Sequence, residues 1–116
     1  MEQLCIALPV QPGKTQALRE FVMTIMESRW GDYEDFQERS RVQKVIWSLQ
    51  SSPRGDQFLI YNEGEDFVRL SSEFGVSTHP FDIWFQQQLQ NITGVDARTF
   101  GPSWLPEQLL RYGYRQ

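Results

Sequence analysis

The chain has one cysteine and one histidine among its 116 residues. A single Cys5 excludes an internal disulfide and any cysteine-based metal cluster, and a reducing cytoplasm is the simplest setting for it. A lone His79 leaves no second imidazole to complete a zinc site. No metal and no cofactor is therefore expected, although one His with a carboxylate, or an axial haem ligand, stays open. Long apolar runs are missing too, so no helix is expected to span a membrane. The start, Met1-Glu2-Gln3-Leu4-Cys5, lacks the basic region and apolar core of a signal peptide, and Asn91-Ile92-Thr93 is then a chance match to a glycosylation acceptor. Basic charge is in the minority, at 11 Lys and Arg against 15 Asp and Glu, a formal net charge of −4. A nucleic-acid binder carries a basic face to neutralise phosphates, so no nucleic-acid partner is expected.

Aromatic side chains, by contrast, are plentiful: 14% of the chain, with four Trp. One domain of this length has one core, and that core cannot take every large ring. Some rings should line a pocket or a partner surface.

Leu4, Ile6, Leu8 and Val10 alternate with Gln3, Cys5, Ala7 and Pro9, which predicts a strand with one strongly apolar face. A helical pattern runs from Gly13 to Glu38 with Leu18, Phe21, Val22, Ile25 and Met26 as its buried stripe; Gly31 and Asp32 end or kink it. Asp32, Glu34, Asp35 and Glu38 spread around the helix and read as a solvated face. Arg41 to Gln50 and Gln57 to Tyr61 read as an antiparallel hairpin across Ser51–Asp56, with a loop longer than the two-residue type. Phe58-Leu59-Ile60-Tyr61 is apolar on both faces, so both faces of the sheet should be covered. Glu63 to Phe74 predicts a short helix ended by Gly75. Phe81, Trp84, Phe85, Leu89 and Ile92 predict another behind Pro80. Val95 to Phe100 reads as a fourth strand. The tail from Gly101 to Gln116 should hold a short helix from Pro106, packed on the domain or on a dimer partner.

That order gives an α+β, ferredoxin-like βαββαβ fold: a four-stranded antiparallel sheet with helices on one face. The domain spans residues 1–100 and the tail 101–116. The uncovered sheet face calls for a homodimer in which two sheets meet.

Two stretches invite a chemical reading. Gly13-Lys14-Thr15 sits between strand and helix, but Leu8 stands where a phosphate loop needs its first glycine; a turn is expected. His79 precedes Pro80 at a helix start, where the helix field favours a neutral ring able to accept a proton or bond a substrate. It also serves simply as a cap. Trp47 and Tyr61 are the aromatic candidates for a pocket holding a small apolar ligand, with His79 nearby. Cys5 carries no sign of activation, and no nucleophile motif marks a catalytic residue.

Pro12-Gly13-Lys14 at a strand end, Glu65-Asp66-Phe67 at a helix start and Ser77-Thr78-His79-Pro80-Phe81-Asp82 resemble a family of small uncharacterised bacterial proteins. That family is similar to the dimeric α/β-barrel superfamily, which includes antibiotic-biosynthesis monooxygenases and haem-degrading enzymes. The resemblance covers residues 1–100, and the tail departs from it. It implies the fold and a homodimer. A cytoplasmic small-molecule binding module is the leading expectation. A cofactor-independent monooxygenase, or a related small oxidoreductase, is the alternative, and a structural protein whose aromatic tail docks a partner is the third.

Overall fold

Strand β1 (Glu2–Pro9) carries Leu4, Ile6 and Leu8 on one face, as its alternation predicts, and Cys5 and Ala7 on the other. This is a computed structural model that describes residues 1–114. After Gly13, which turns the chain at φ 80°, helix α1 (Thr15–Ser28) buries Leu18, Phe21 and Ile25. Val22 is half-buried, whereas Met26 is solvent-exposed. The helical run then breaks at Arg29 (φ −130°, ψ 25°), two residues ahead of Gly31, and restarts as α2 (Trp30–Arg39). At the break the Arg29 guanidinium lies 4.3 Å from the Trp84 ring centre and 5.0 Å from that of Phe81. Its Nε also reaches Asp32, in the first turn of α2, at 3.3 Å.

Strands β2 (Val42–Ser52) and β3 (Gly55–Gly64) form the hairpin. The turn is tighter than expected: Ser52 pairs with Gly55, leaving only Pro53 and Arg54 between the strands. The Ser52 hydroxyl accepts from the Arg54 amide at 3.2 Å and donates to the Gly55 carbonyl at 2.9 Å, which makes a two-residue loop self-sufficient. At the far end of the hairpin the backbones of Gly64 and Arg41 approach so closely that a Cβ on Gly64 would lie 2.8 Å from the Arg41 carbonyl oxygen. Helix α3 (Phe67–Phe74) starts at Asp66, whose carboxylate accepts from the Arg69 amide. Helix α4 (Pro80–Thr93) buries Phe81, Phe85, Leu89 and Ile92, and Gly94 closes it in the left-handed conformation.

The sheet has three strands, all antiparallel, in the order β1-β3-β2. This corrects the four-stranded expectation. Val95–Phe100 is not a strand: Ala97–Thr99 is a 3-10 turn. The Asp96 carboxylate accepts from the Arg98 amide at 2.9 Å and from its guanidinium at 2.7 Å, and Thr99 Oγ1 donates to the Asp96 carbonyl. Such local bonds offer the backbone an alternative to a sheet ladder. Phe100 and Val95 pack inward against the core rather than onto the open sheet face. Gly75 lets the end of α3 and this turn touch, since a Cβ there would collide with the Ala97 carbonyl.

The tail also differs. A 3-10 turn at Pro102–Trp104 is followed by irregular chain through Tyr114, with no helix from Pro106; Arg115 and Gln116 lie outside the described residues. The eleven residues from Pro106 to Gln116 are few for a helix without packing, and Leu109 and Leu110 face solvent. The tail instead follows the free edge of β1. Gln108 Nε2 donates to the Gln3 carbonyl at 3.1 Å and Arg111 Nη2 to Gln3 Oε1 at 3.2 Å.

Candidate functional site

Between the sheet and the helices lies a cavity of about 110 Å³. Its floor is the helix-facing side of the sheet: Leu4 and Ile6 of β1, Ile60 and Asn62 of β3, Trp47 of β2. Phe36 of α2, Phe67 and Phe74 of α3 and Phe85 of α4 form the walls. Phe100, Trp104 and Leu105 complete it on the side where the fourth strand was expected. Phe74 and Phe100 stack there at 6.2 Å, and Trp104 lies tilted against Phe100 at 5.0 Å. Among the described residues no Asp, Glu, Lys, Arg or His lines this space.

Three polar side chains reach the cavity: Gln37, Ser71 and Asn62. Gln37 Nε2 donates to the Tyr33 hydroxyl at 2.8 Å, and the Ser71 hydroxyl donates to the Val68 carbonyl at 2.8 Å. Burial pushes the Tyr33 hydroxyl up to about 12, against a smaller downward pull from Gln37, so it stays protonated at neutral pH. Asn62 is 8% exposed, and its side chain makes no hydrogen bond with any described residue. The sequence reading ended β3 at Tyr61 and so missed it. The available signal was the alternation Phe58, Ile60, Asn62, which carries a polar side chain onto the buried face of a strand that continues to Gly64.

The three residues singled out from sequence are not brought together. Trp47 lies on the cavity floor, half-buried and stacked 5.7 Å from Phe21. Tyr61 is on the opposite face of the sheet, paired across from Cys5 and Ile46. A hydrogen bond with Tyr114 of the tail, burial and Glu63 together push its hydroxyl up to about 12. His79 occupies the expected place at the start of α4, where Nδ1 accepts from the Phe81 amide at 3.3 Å. Its side chain is 42% exposed and does not line the cavity. Accepting at Nδ1 puts the neutral ring's proton on Nε2, which lies 3.7 Å from Asp35.

The Ser77–Asp82 stretch instead builds a clamp. Asp82, its side chain 4% exposed, receives both terminal nitrogens of Arg39 at 2.9 Å each and the Ser77 hydroxyl at 2.6 Å. Arg39 Nε is taken by Asp35 at 2.8 Å. Burial alone would push the Asp82 carboxyl up; the bonds from Arg39 and Ser77, with the Arg39 charge, outweigh it and hold it below the usual carboxylate range. The clamp ties α2 to α4 and to the loop before it. Its donors and acceptors are committed to one another, which is the pattern of a structural lock.

The other charged stretches are similarly engaged. Lys14 Nζ donates to Asn91 Oδ1 at 3.0 Å and the Thr15 hydroxyl bonds Asp56, so Gly13-Lys14-Thr15 is a tied-down turn. Among the described residues no group of three His, Cys, Asp or Glu stands close enough to hold a metal, and no helix is long and apolar enough to cross a membrane.

No family model and no curated protein matches the chain in sequence. The crystal structure of an L-rhamnose mutarotase from Formosa agariphila does match it in three dimensions, with a TM-score of 0.59 over 97% of this chain and 99% of that one. The chain shares its fold with that mutarotase. The arrangement is ferredoxin-like, with three strands in place of the expected four. At 11% identity the likeness speaks for the fold alone.

Proposed function

We propose that the protein is a binding module for a small, largely apolar molecule held between sheet and helices, and that it works as a homodimer of the dimeric α/β-barrel kind. The cavity carries this reading. It is a half-open pocket of about 110 Å³ between sheet and helices, lined largely by aromatic and aliphatic side chains, which is a surface suited to a small apolar guest. Sugar chemistry fits poorly. A sugar carries a hydroxyl on nearly every carbon, whereas among the described residues three polar side chains reach the cavity, and Gln37 and Ser71 already each give a donor to a protein partner. The monooxygenase alternative draws no specific support, because no ionisable side chain among the described residues stands on the wall to move a proton.

The dimer reading rests on the open sheet face. Leu59, Ile46, Tyr61, Cys5 and Ala7 share it, and Ile46 is 61% exposed. Three strands spaced about 4.8 Å apart offer roughly 400 Å², about half of the ~800 Å² per partner of a standard interface. The tail, whose Leu110 and Tyr114 stand beside Cys5 and Tyr61 on that face, supplies apolar surface toward the remainder.

Ligand binding is tested by thermal shift and by Trp fluorescence, since Trp47 and Trp104 both line the cavity. Small aromatic compounds at a hundred times their Kd should stabilise the fold by about 2.7 kcal/mol. Leu70→Phe, which fills the cavity from α3, should remove that response. Failure of every small apolar or aromatic compound to shift either signal would refute the reading.

A further inference from the structure

We propose that the cavity takes a neutral, single-ring apolar molecule bearing one amide-type head, and that Asn62 reads that head. This rests on the cavity being the binding site and deepens that reading. Buried side-chain polar groups are nearly always paired in native proteins. Asn62 is 8% exposed, lines the cavity and bonds no described residue through its side chain, and its amide atoms keep a little open surface rather than lying sealed. A side-chain amide offers one carbonyl acceptor beside N–H donors. Its complement is a group with the same pair reversed, a carboxamide or a lactam, which meets it in two parallel hydrogen bonds.

Charge excludes the ionic relatives of such a group. With no Arg, Lys or His on the described wall, a carboxylate would lose its water without gaining a counter-ion. Size sets the rest. An apolar cavity of about 150 Å³ holds benzene, so about 110 Å³ admits one ring when the Gly101–Leu105 segment yields slightly. That wall is a short 3-10 turn, with Trp104 39% exposed, and is the least supported part of the enclosure. The Phe36, Phe74 and Trp47 rings suit a planar guest. Water alone is a poor substitute. By volume about three would fit at roughly 30 Å³ each, but each needs two to four polar partners, and among the described residues the wall offers few: the Asn62 amide and what the Gln37 amide keeps beyond its bond to Tyr33.

The test uses the full chain with 2-pyridone as the lactam, toluene as its apolar counterpart and benzoate as the anion, read by calorimetry and Trp fluorescence. Toluene and 2-pyridone should bind and benzoate should not. Asn62→Leu should weaken 2-pyridone by about tenfold or more, for two lost hydrogen bonds, and leave toluene unchanged or tighter. Equal 2-pyridone binding in Asn62→Leu, or benzoate binding as well as 2-pyridone, would overturn the assignment while the cavity stands as the site. If neither toluene nor 2-pyridone binds, the cavity reading itself fails and this assignment with it. Should Asn62→Leu not fold, crystals of the unaltered protein soaked in 2-pyridone decide. A head within hydrogen-bond distance of the Asn62 amide supports the assignment; ordered water there, or a reversed ring, overturns it.

Discussion

Replacing Asp82 with alanine should cost about 2–3 kcal/mol of folding stability at pH 7. Asp82 accepts three hydrogen bonds, two from the Arg39 fork at 2.9 Å and one from Ser77 at 2.6 Å. Removing one partner of a buried pair costs about 3–5 kcal/mol, because the other charge is stranded. Here the loss should be smaller. The Arg39 side chain is 35% exposed and keeps Asp35 at 2.8 Å, so water and that carboxylate take up part of its charge. For a domain of this size each kcal/mol moves the melting temperature by about 4 °C, giving a fall of roughly 10 °C at fixed protein concentration.

Urea unfolding at pH 7 measures the loss, and a double-mutant cycle with Arg39→Met isolates the pair. The coupling should reach about 1–2 kcal/mol. The pH dependence has a definite sign. Asp82 has its folded pKa depressed, so its contribution is full above the unfolded value near 4 and is lost as pH falls through the folded value. The gap between wild type and Asp82→Ala should therefore close below about pH 4. A loss under about 0.5 kcal/mol at pH 7, or a gap that widens in acid, would refute the clamp.

Truncation after Leu105 should leave ligand binding intact, because the residues that line the cavity end there. The same truncation should lower the mass seen by light scattering from about twice 13.7 kDa toward one chain at micromolar concentration; an unchanged dimer would remove the tail from the interface. Gly75→Ala should cost about 1–3 kcal/mol by overpacking, since its Cβ would meet the Ala97 carbonyl, and a melting temperature within 1–2 °C of wild type would contradict that close approach.

Periodic apolar positions were the legible part of the sequence. The Leu4, Ile6, Leu8 alternation and the Phe81, Phe85, Leu89, Ile92 stripe pack inward as read, and of the Leu18, Phe21, Val22, Ile25, Met26 stripe all but the exposed Met26 do. The helix start at His79 held, with Nδ1 accepting from the Phe81 amide, whereas the helix read from Glu63 begins only at Phe67, capped by Asp66, because β3 runs on to Gly64. Breaks were harder. Gly31 drew attention as the helix stop, but the chain breaks at Arg29, whose contacts with Phe81 and Trp84 lie some fifty residues away and leave no local mark. Val95–Phe100 has a strand's apolar ends, yet Asp96 and Arg98 between them close a turn on themselves. The site was partly legible. Trp47 falls on the cavity floor, whereas Tyr61 falls on the other face, and a one-residue step along a strand separates those outcomes. His79 drew the eye through its rarity, although Asp82, three residues on, holds the motif together.

The missing strand links the cavity to the proposed dimer. A fourth strand beside β1 would satisfy its free edge, cover the flank of the cavity and widen the open face. The chain meets these three needs with separate pieces of the segment that follows Gly94. Phe100, Trp104 and Leu105 close the flank with side chains rather than backbone. Gln108 and Arg111 bond Gln3 at the free edge, which otherwise would invite pairing with other strands. Leu110 and Tyr114 extend the apolar surface beside Tyr61. A ladder strand is held by regular backbone bonds along its length, whereas among the described residues the Gly101–Leu105 turn has backbone bonds from Trp104 to Gly101 and from Leu105 to Pro102 alone. Opening it sacrifices two bonds and some ring packing, so the cavity can admit a guest without unpairing the sheet. That separation predicts fast exchange with solvent for the amides of Trp104 and Leu105 and slow exchange for those of the central strand β3, with a cavity ligand slowing the former first. Equal protection of the two regions would mean that the turn is no gate.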